Sequence, residues 1–181
     1  MAYYHDREAL ATFAHEFHNE LRDRPMRGHV DDNIREFFAS FDIEDWISMR
    51  EHLSPDAKLI DQLSGPDDIY TNQDSIINWF QGRKLPSQRT SHHLLLIDRG
   101  RVTCYVSQFS VQCTRINHSN PQFQEVYKVF IIDLDDTYKI RRIELRAFNN
   151  KDSVTHDGDL KAMDAAAREV EKNAIKMDDS I

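Results

Sequence analysis

The chain has 181 residues, with 31 acidic against 23 basic side chains, so its formal net charge at neutral pH is −8. Its length and apolar content suit a single domain with one appended element. The five glycines are widely spaced, which excludes the glycine-rich loops of phosphate-binding and dinucleotide-binding proteins. Because the basic residues occur in ones and twos, the sequence predicts neither a nucleic-acid partner nor an anionic membrane surface.

The two cysteines and the short apolar runs bear on the cellular compartment. Cys104 and Cys113 fall within one predicted strand, which holds them too far apart to form a disulfide with each other. The longest uninterrupted apolar runs, residues 94–97 and 129–132, are far shorter than a membrane span. We therefore expect a cytoplasmic protein without a membrane segment.

The first third of the chain has helical periodicity. Apolar residues over 10–21 recur at spacings that share one helix face, and Pro25 and Gly28 predict a break. Further helices are predicted over 31–41 and 46–53, and together they form a short hairpin.

A strand-rich region follows this hairpin. The sequence predicts a strand over 57–63, a turn-rich loop after it and a helix over 74–80. Four longer strands and a C-terminal helix come next: 91–98, 102–116, 124–133, 138–148, and a helix from 159. The class is therefore α+β, a curved and mostly antiparallel sheet with helices on its concave face and a cone-shaped cavity between them.

Three short motifs carry a resemblance to a known superfamily. They are residues 40–46 with Arg50 and Pro55 at the helix hairpin, residues 89–92 entering a strand, and residues 135–140 entering the last strand. In order and spacing they resemble the NTF2-like superfamily, in its SnoaL-like and scytalone dehydratase-like branch. The resemblance covers residues 30–150 and implies a cone-shaped barrel that frequently dimerises through the exposed face of its sheet.

The resemblance also implies which positions line the pocket. The aspartate of the family falls on Asp42 and its first histidine on His92, whereas its tyrosine position holds Phe41. Its second histidine falls near Gln112, which cannot titrate. The serine and asparagine positions fall near Glu125 and Tyr127. Because of these departures, the named dehydratase reaction does not carry over.

The catalytic candidates are His92, Asp42 and Glu125. His92 and His93 are expected to point to opposite faces of one strand, with His92 a general base that Asp42 orients. Alternatively, Asp42 caps the next helix. Glu125 is a candidate acid or base if its wall is internal, and a solvent-facing strand end is the other interpretation. The predicted substrate-binding residues are Phe41, Trp46, His93, Tyr105, Gln112 and Tyr127.

These residues suggest two functions of different classes. The first is a small cofactor-independent lyase or isomerase that acts on a hydrophobic cyclic polyketide- or terpenoid-type molecule. The alternative is a non-catalytic NTF2-like module for ligand binding or dimerisation, and the small subunit of a ring-hydroxylating dioxygenase is a third interpretation. No metal site is predicted. The expected organisation is a helical extension (1–29), the NTF2-like domain (30–150) and a C-terminal amphipathic helix (151–181), which either folds back or embraces a second copy in a homodimer.

Overall fold

The computed structural model describes residues 24–64, 68–98, 100–111, 121–146 and 153–175. The predicted helix over 10–21 and the residues Gln112 and Cys113 lie outside these ranges. The helices are α1 (Arg24–Asp42), α2 (Trp46–Glu51), α3 (Gln73–Arg83) and α4 (Leu160–Lys172). The strands are β1 (Leu53–Asp61), β2 (Ile69–Thr71), β3 (Arg89–Asp98), β4 (Arg101–Val111), β5 (Gln122–Leu134), β6 (Ile140–Arg146) and β7 (Ser153–Asp157). Within these ranges, no helix is long and apolar enough to cross a membrane.

The seven strands form one curved sheet in the order β2-β1-β6-β5-β4-β3, with β7 paired to β5. The β1 and β6 strands are parallel, and the other pairs are antiparallel. The predicted α+β class and mostly antiparallel sheet are therefore confirmed. The sheet stays open, however, so the expected barrel does not close.

The helices α1 to α3 pack on one face of the sheet, here called the inner face. Phe37 meets Phe80 at 5.5 Å between ring centroids, and Phe38 meets Phe130 of β5 at 5.0 Å. All four rings are buried. Since burying one such side chain is worth about 1.5–3 kcal/mol, these rings fix the helices on the inner face.

The α1 helix includes Gly28, so the break predicted at Gly28 is wrong. The predicted helix over 10–21, which Pro25 was expected to end, lies outside the described residues. Gly28 is exposed and costs only about 1 kcal/mol in a helix interior.

The start of β1 and two short strands depart from the predictions. The β1 strand begins at Leu53, before the predicted start at 57, and its pairing with β6 is irregular between Leu53 and Lys58. Pro55 lies in this irregular stretch, where a residue without an N–H is tolerated. The short strands β2 and β7 were not predicted, because three to five residues carry too little alternation.

The α4 helix folds back on its own domain, the first of its two predicted arrangements. Its Met163 and Ala167 are buried against Phe109 and Phe123, on the face opposite to α1–α3, here called the outer face. Asp159 caps the helix by accepting a hydrogen bond from the Ala162 N–H. One end of the outer face is therefore covered by the chain itself.

Gly158 makes the turn into α4 and provides a test of this packing. Its φ is +148°, and a Cβ there would lie 2.7 Å from the Cβ of Ala162. We expect Gly158→Ala to lower the free energy of unfolding by about 1–3 kcal/mol, measured by urea denaturation. Gly28→Ala is the matched control, because nothing lies within 4 Å of the added methyl. The free energy of unfolding of Gly28→Ala should rise by up to about 1 kcal/mol. Equal effects of the two substitutions would show that Gly158 is not constrained by its contact with Ala162.

Candidate functional site

The predicted site residues lie on opposite faces of the sheet. His92 pairs with Val106 and packs its ring against Phe38 at 5.4 Å, on the inner face. A register shift follows between His92 and Leu94, and the His93 ring lies 2.7 Å from the Ser107 hydroxyl on the outer face. Glu125 accepts a hydrogen bond from the same Ser107. His92 and Glu125 therefore cannot act on one molecule.

His92 is paired with Glu171 of α4, a partner that the sequence did not suggest. The Glu171 carboxylate oxygen Oε1 lies 2.9 Å from His92 Nδ1 and accepts the His92 backbone N–H at 2.6 Å. The β3 strand is an edge of the sheet, so this backbone N–H has no strand partner. The Glu171 carboxylate thus accepts the backbone N–H of His92 at the strand edge and also orients the His92 imidazole.

Arg35 completes the arrangement from α1. It donates to Glu171 Oε2 at 2.6 Å and to Asp31 at 2.8 Å. Burial alone would raise the pKa of Glu171, but the hydrogen bonds from His92 and the charges of His92 and Arg35 hold that pKa at about 2. The carboxylate therefore stays ionised at neutral pH.

The second ring nitrogen of His92 has a different environment. A carboxylate opposite Nδ1 assigns the ring proton to Nδ1, so in the neutral ring Nε2 carries the lone pair. Nε2 is buried and has no hydrogen-bond partner among the described residues. Buried polar atoms are nearly always satisfied, so a buried imidazole lone pair on the inner face is a candidate base.

Asp42 does not pair with His92, contrary to the expectation. Its carboxylate accepts the Thr90 backbone N–H at 2.5 Å, the Thr90 hydroxyl at 2.9 Å and the Gln88 amide at 3.3 Å. It therefore ties the end of α1 to the start of β3. Burial raises the pKa of Asp42 despite these hydrogen bonds.

The alternative role of Asp42 as a helix cap is also wrong. Asp45 caps α2 by accepting the Ser48 N–H at 3.1 Å. The cap stands three residues further along because a turn at residues 43 and 44 separates the two helices.

Lys128 is an inner-face residue that the sequence analysis missed. It pairs with Val106, opposite His92 in the same register row, and donates to the Gln108 side-chain oxygen at 2.5 Å. Burial lowers its pKa to about 8, with a further lowering by the charge of Arg83. Strand alternation with the buried Phe130 would have indicated this inward position.

The outer face carries a second polar group. Ser107 donates to one oxygen of Glu125 at 2.6 Å, and His156 Nε2 lies 2.9 Å from the other. Burial and the Glu125 carboxylate raise the pKa of Tyr127, whose ring lies 5.8 Å from that of His93. The predicted residues Glu125, Tyr127 and His93 therefore do lie together, although away from His92.

The other predicted substrate-binding residues lie in the core or on the outer face. Phe41 is buried and its ring lies 5.0 Å from Phe80 and 6.1 Å from Trp46, so both aromatic side chains belong to the core. Tyr105 lines a groove on the outer face. In the part of the chain that the structure describes, no group of three or more His, Cys, Asp or Glu side chains could hold a metal.

The Glu171 contacts predict a pH dependence of stability. The pKa of Glu171 is lower in the folded state than its ordinary value of 4.5, so its contribution is complete above that value and is lost as pH falls toward about 2. We expect Glu171→Gln to be less stable than wild type at pH 6, by urea denaturation. The difference should shrink as pH falls from 4.5 to 2. Glu169→Gln, an exposed change on the same helix, should show no such trend.

Lys128 predicts a second pH dependence of stability, at high pH. In the window between about 8 and its ordinary pKa of 10.5, the unfolded chain binds the proton that the folded chain releases. Lys128→Met should therefore be more stable than wild type below pH 8, and this advantage should fall as pH rises to 10.5. The exposed Lys139→Met is the control. A constant advantage would show that Lys128 is not desolvated.

Neither a protein-family model nor a curated protein matches the sequence. The epoxide hydrolase/cyclase-like enzyme SalBIII, with a role in pyran ring formation in polyether salinomycin, superposes with a TM-score of 0.57 at 12% identity, over 70% of this chain and 95% of its own. RV0760c from Mycobacterium tuberculosis gives 0.54 at 10% identity, over 68% and 93%. A computationally designed 17-OHP binder gives 0.51 at 9% identity, over 68% and 93%. With its helix-covered, open curved sheet, the chain has the NTF2-like fold.

Proposed function

We propose that the protein is a cofactor-independent lyase or isomerase that moves a proton within a small hydrophobic molecule at the inner face. The observation that carries this proposal is the Glu171–His92 pair, which orients a buried imidazole and leaves its Nε2 without a protein partner among the described residues. A positioned imidazole of this kind contributes about 10²–10⁴-fold to proton transfer.

The proposed step begins at a carbon next to a carbonyl group. His92 Nε2 takes the proton, and the electron pair of the broken C–H bond moves onto the carbonyl oxygen. Glu171 stabilises the imidazolium that forms, and the Lys128 ammonium stabilises the oxyanion. Lys128 lies two strands from His92 in one register row, roughly 10 Å between backbones, with Val106 between them. In an isomerisation, His92 returns the proton to another carbon of the enolate. In a dehydration, the enolate electron pair returns to form a C=C bond as the neighbouring C–O bond breaks, and the leaving hydroxyl takes the proton from His92 Nε2 and departs as water.

The substrate class is proposed from the fold and the apolar surroundings. SalBIII is described as cyclase-like, and RV0760c has a structure in complex with estradiol-17beta-hemisuccinate. Phe38 packs directly on His92, so the bound molecule meets an aromatic wall. We propose a hydrophobic cyclic molecule of the polyketide or terpenoid type.

One observation favours the non-catalytic alternative. The Glu171–His92 pair also fastens α4 to the edge of the sheet, through the His92 backbone N–H. In a binding module the pair would serve only that purpose. An enzyme would need the His92 imidazole for its activity. A binding module would need only the contact between Glu171 and the His92 backbone N–H, which holds α4 on the sheet.

The oligomeric state remains a prediction. We propose a homodimer through the part of the outer face that both α4 and the groove beside β3 leave uncovered, where Ile131 is only half-buried. Sedimentation equilibrium of the full chain measures this oligomeric state directly. We also propose a cytoplasmic location.

The test is a screen of hydroxylated cyclic ketones for dehydration and isomerisation, followed by two variants. We expect His92→Gln to lower kcat by about 10²–10⁴-fold while α4 stays docked, because its backbone N–H still meets Glu171. Glu171→Gln should lower kcat less, since the ring remains. Glu169→Gln is the matched control on α4. Unchanged kcat in His92→Gln would exclude His92 as the base, and binding of the ketones without turnover by the wild type would leave only the binding module.

A further inference from the structure

We propose that the outer face holds a second site, distinct from the inner-face site, for a small ring molecule that bears a hydroxyl group. The site is a groove of about 390 Å³ beside the edge strand β3. Its main lining residues are His93, Leu94, Leu96, Tyr105, Tyr127 and Ile175. Its volume lies at the small end of the range for ligand pockets, about 300–1,000 Å³.

The chain builds one wall of this groove with the segment that follows α4. The Ile175 N–H donates to the His93 carbonyl at 2.8 Å, and Ile175 forms a parallel bridge with Leu94. This contact extends the sheet by one residue past β3 and raises an apolar side chain beside the groove. The groove is thus walled on the side where an open sheet edge would otherwise lie.

The polar end of the groove is a chain of hydrogen bonds that starts at His93. Ser107 is fully buried and gives its hydroxyl proton to Glu125, so its oxygen accepts from His93 Nε2. The Glu125 carboxylate is itself 6% exposed and is held from its other side by His156. These bonds fix the His93 tautomer with its proton on Nε2.

This tautomer determines what the groove recognises. A neutral His93 with its proton on Nε2 presents Nδ1 as a hydrogen-bond acceptor. Apart from Lys128, the other lining residues are apolar or aromatic: Leu94, Leu96, Tyr105, Val106, Tyr127 and Ile175. The complementary ligand therefore has an apolar ring body and one hydroxyl donor, as in a phenol or a cyclic alcohol.

The groove suits a small molecule better than a second copy of this chain. A stable protein interface buries about 800 Å² on each partner, and α4 already covers the neighbouring Phe109 and Phe123 end of the outer face. A walled groove with a buried polar end suits a compact ligand better than a flat partner surface.

The test uses 2-naphthol as the probe and naphthalene as its match without the hydroxyl. Both are titrated calorimetrically into the full chain. We expect 2-naphthol to bind more tightly, and His93→Leu to weaken 2-naphthol by about 10-fold while naphthalene is unchanged, the size of one hydrogen bond. Leu94→Trp fills the groove and should abolish binding of both. Leu63→Trp, at an exposed leucine outside the groove, should bind like wild type.

Three outcomes would overturn this site. The first is no binding of 2-naphthol at about 1 mM. The second is binding that Leu94→Trp leaves intact, which would place the probe elsewhere. The third is a wild-type dimer that Leu94→Trp dissociates in sedimentation equilibrium, which would show a second copy on the groove. Circular dichroism of each variant confirms that the fold is retained, and none of these outcomes bears on His92→Gln turnover at the inner face.

Discussion

The Glu171 carboxylate at the free edge of β3 is the contact on which the arrangement of both faces depends. It receives the backbone N–H and the ring of His92, and it receives Arg35 from α1. An exposed strand edge is normally a liability, because its unpaired N–H groups can template pairing with another chain. Here the ionised Glu171 carboxylate accepts a hydrogen bond from the strand edge, and its contacts join α1, β3 and α4.

A single irregularity in β3 places two consecutive residues, His93 and Leu94, on the same side of the sheet. Strict alternation already separates His92 from His93, and the register shift after His92 moves Leu94 into pairing with Tyr105. As a result, His92 meets the aromatic core while His93 and Leu94 both line the outer groove. The extra residue in the strand thus adds an apolar side chain beside His93 in the outer groove.

The fold followed from the sequence more completely than the site did. Periodicity identified α3 and the four long strands, because each repeats its pattern over many residues. The partner of His92 could not be predicted in the same way. Glu171 is 79 positions away, on a helix whose docking depends on side-chain packing against Phe109 and Phe123. The resemblance pointed to Asp42 by its position in the motif at the helix hairpin, yet the backbone N–H of Thr90 holds its carboxylate.

The α4 helix connects the two faces energetically as well as in space. Its Glu171 orients His92 on the inner face, and the segment that follows it places Ile175 against the outer groove. Both contacts exist only when α4 is docked. A molecule that contacts Ile175 binds the docked state preferentially, and it therefore also favours the state in which Glu171 holds the imidazole. Linkage makes this relation reciprocal, so a ligand that needs an oriented His92 must strengthen binding in the groove by the same factor.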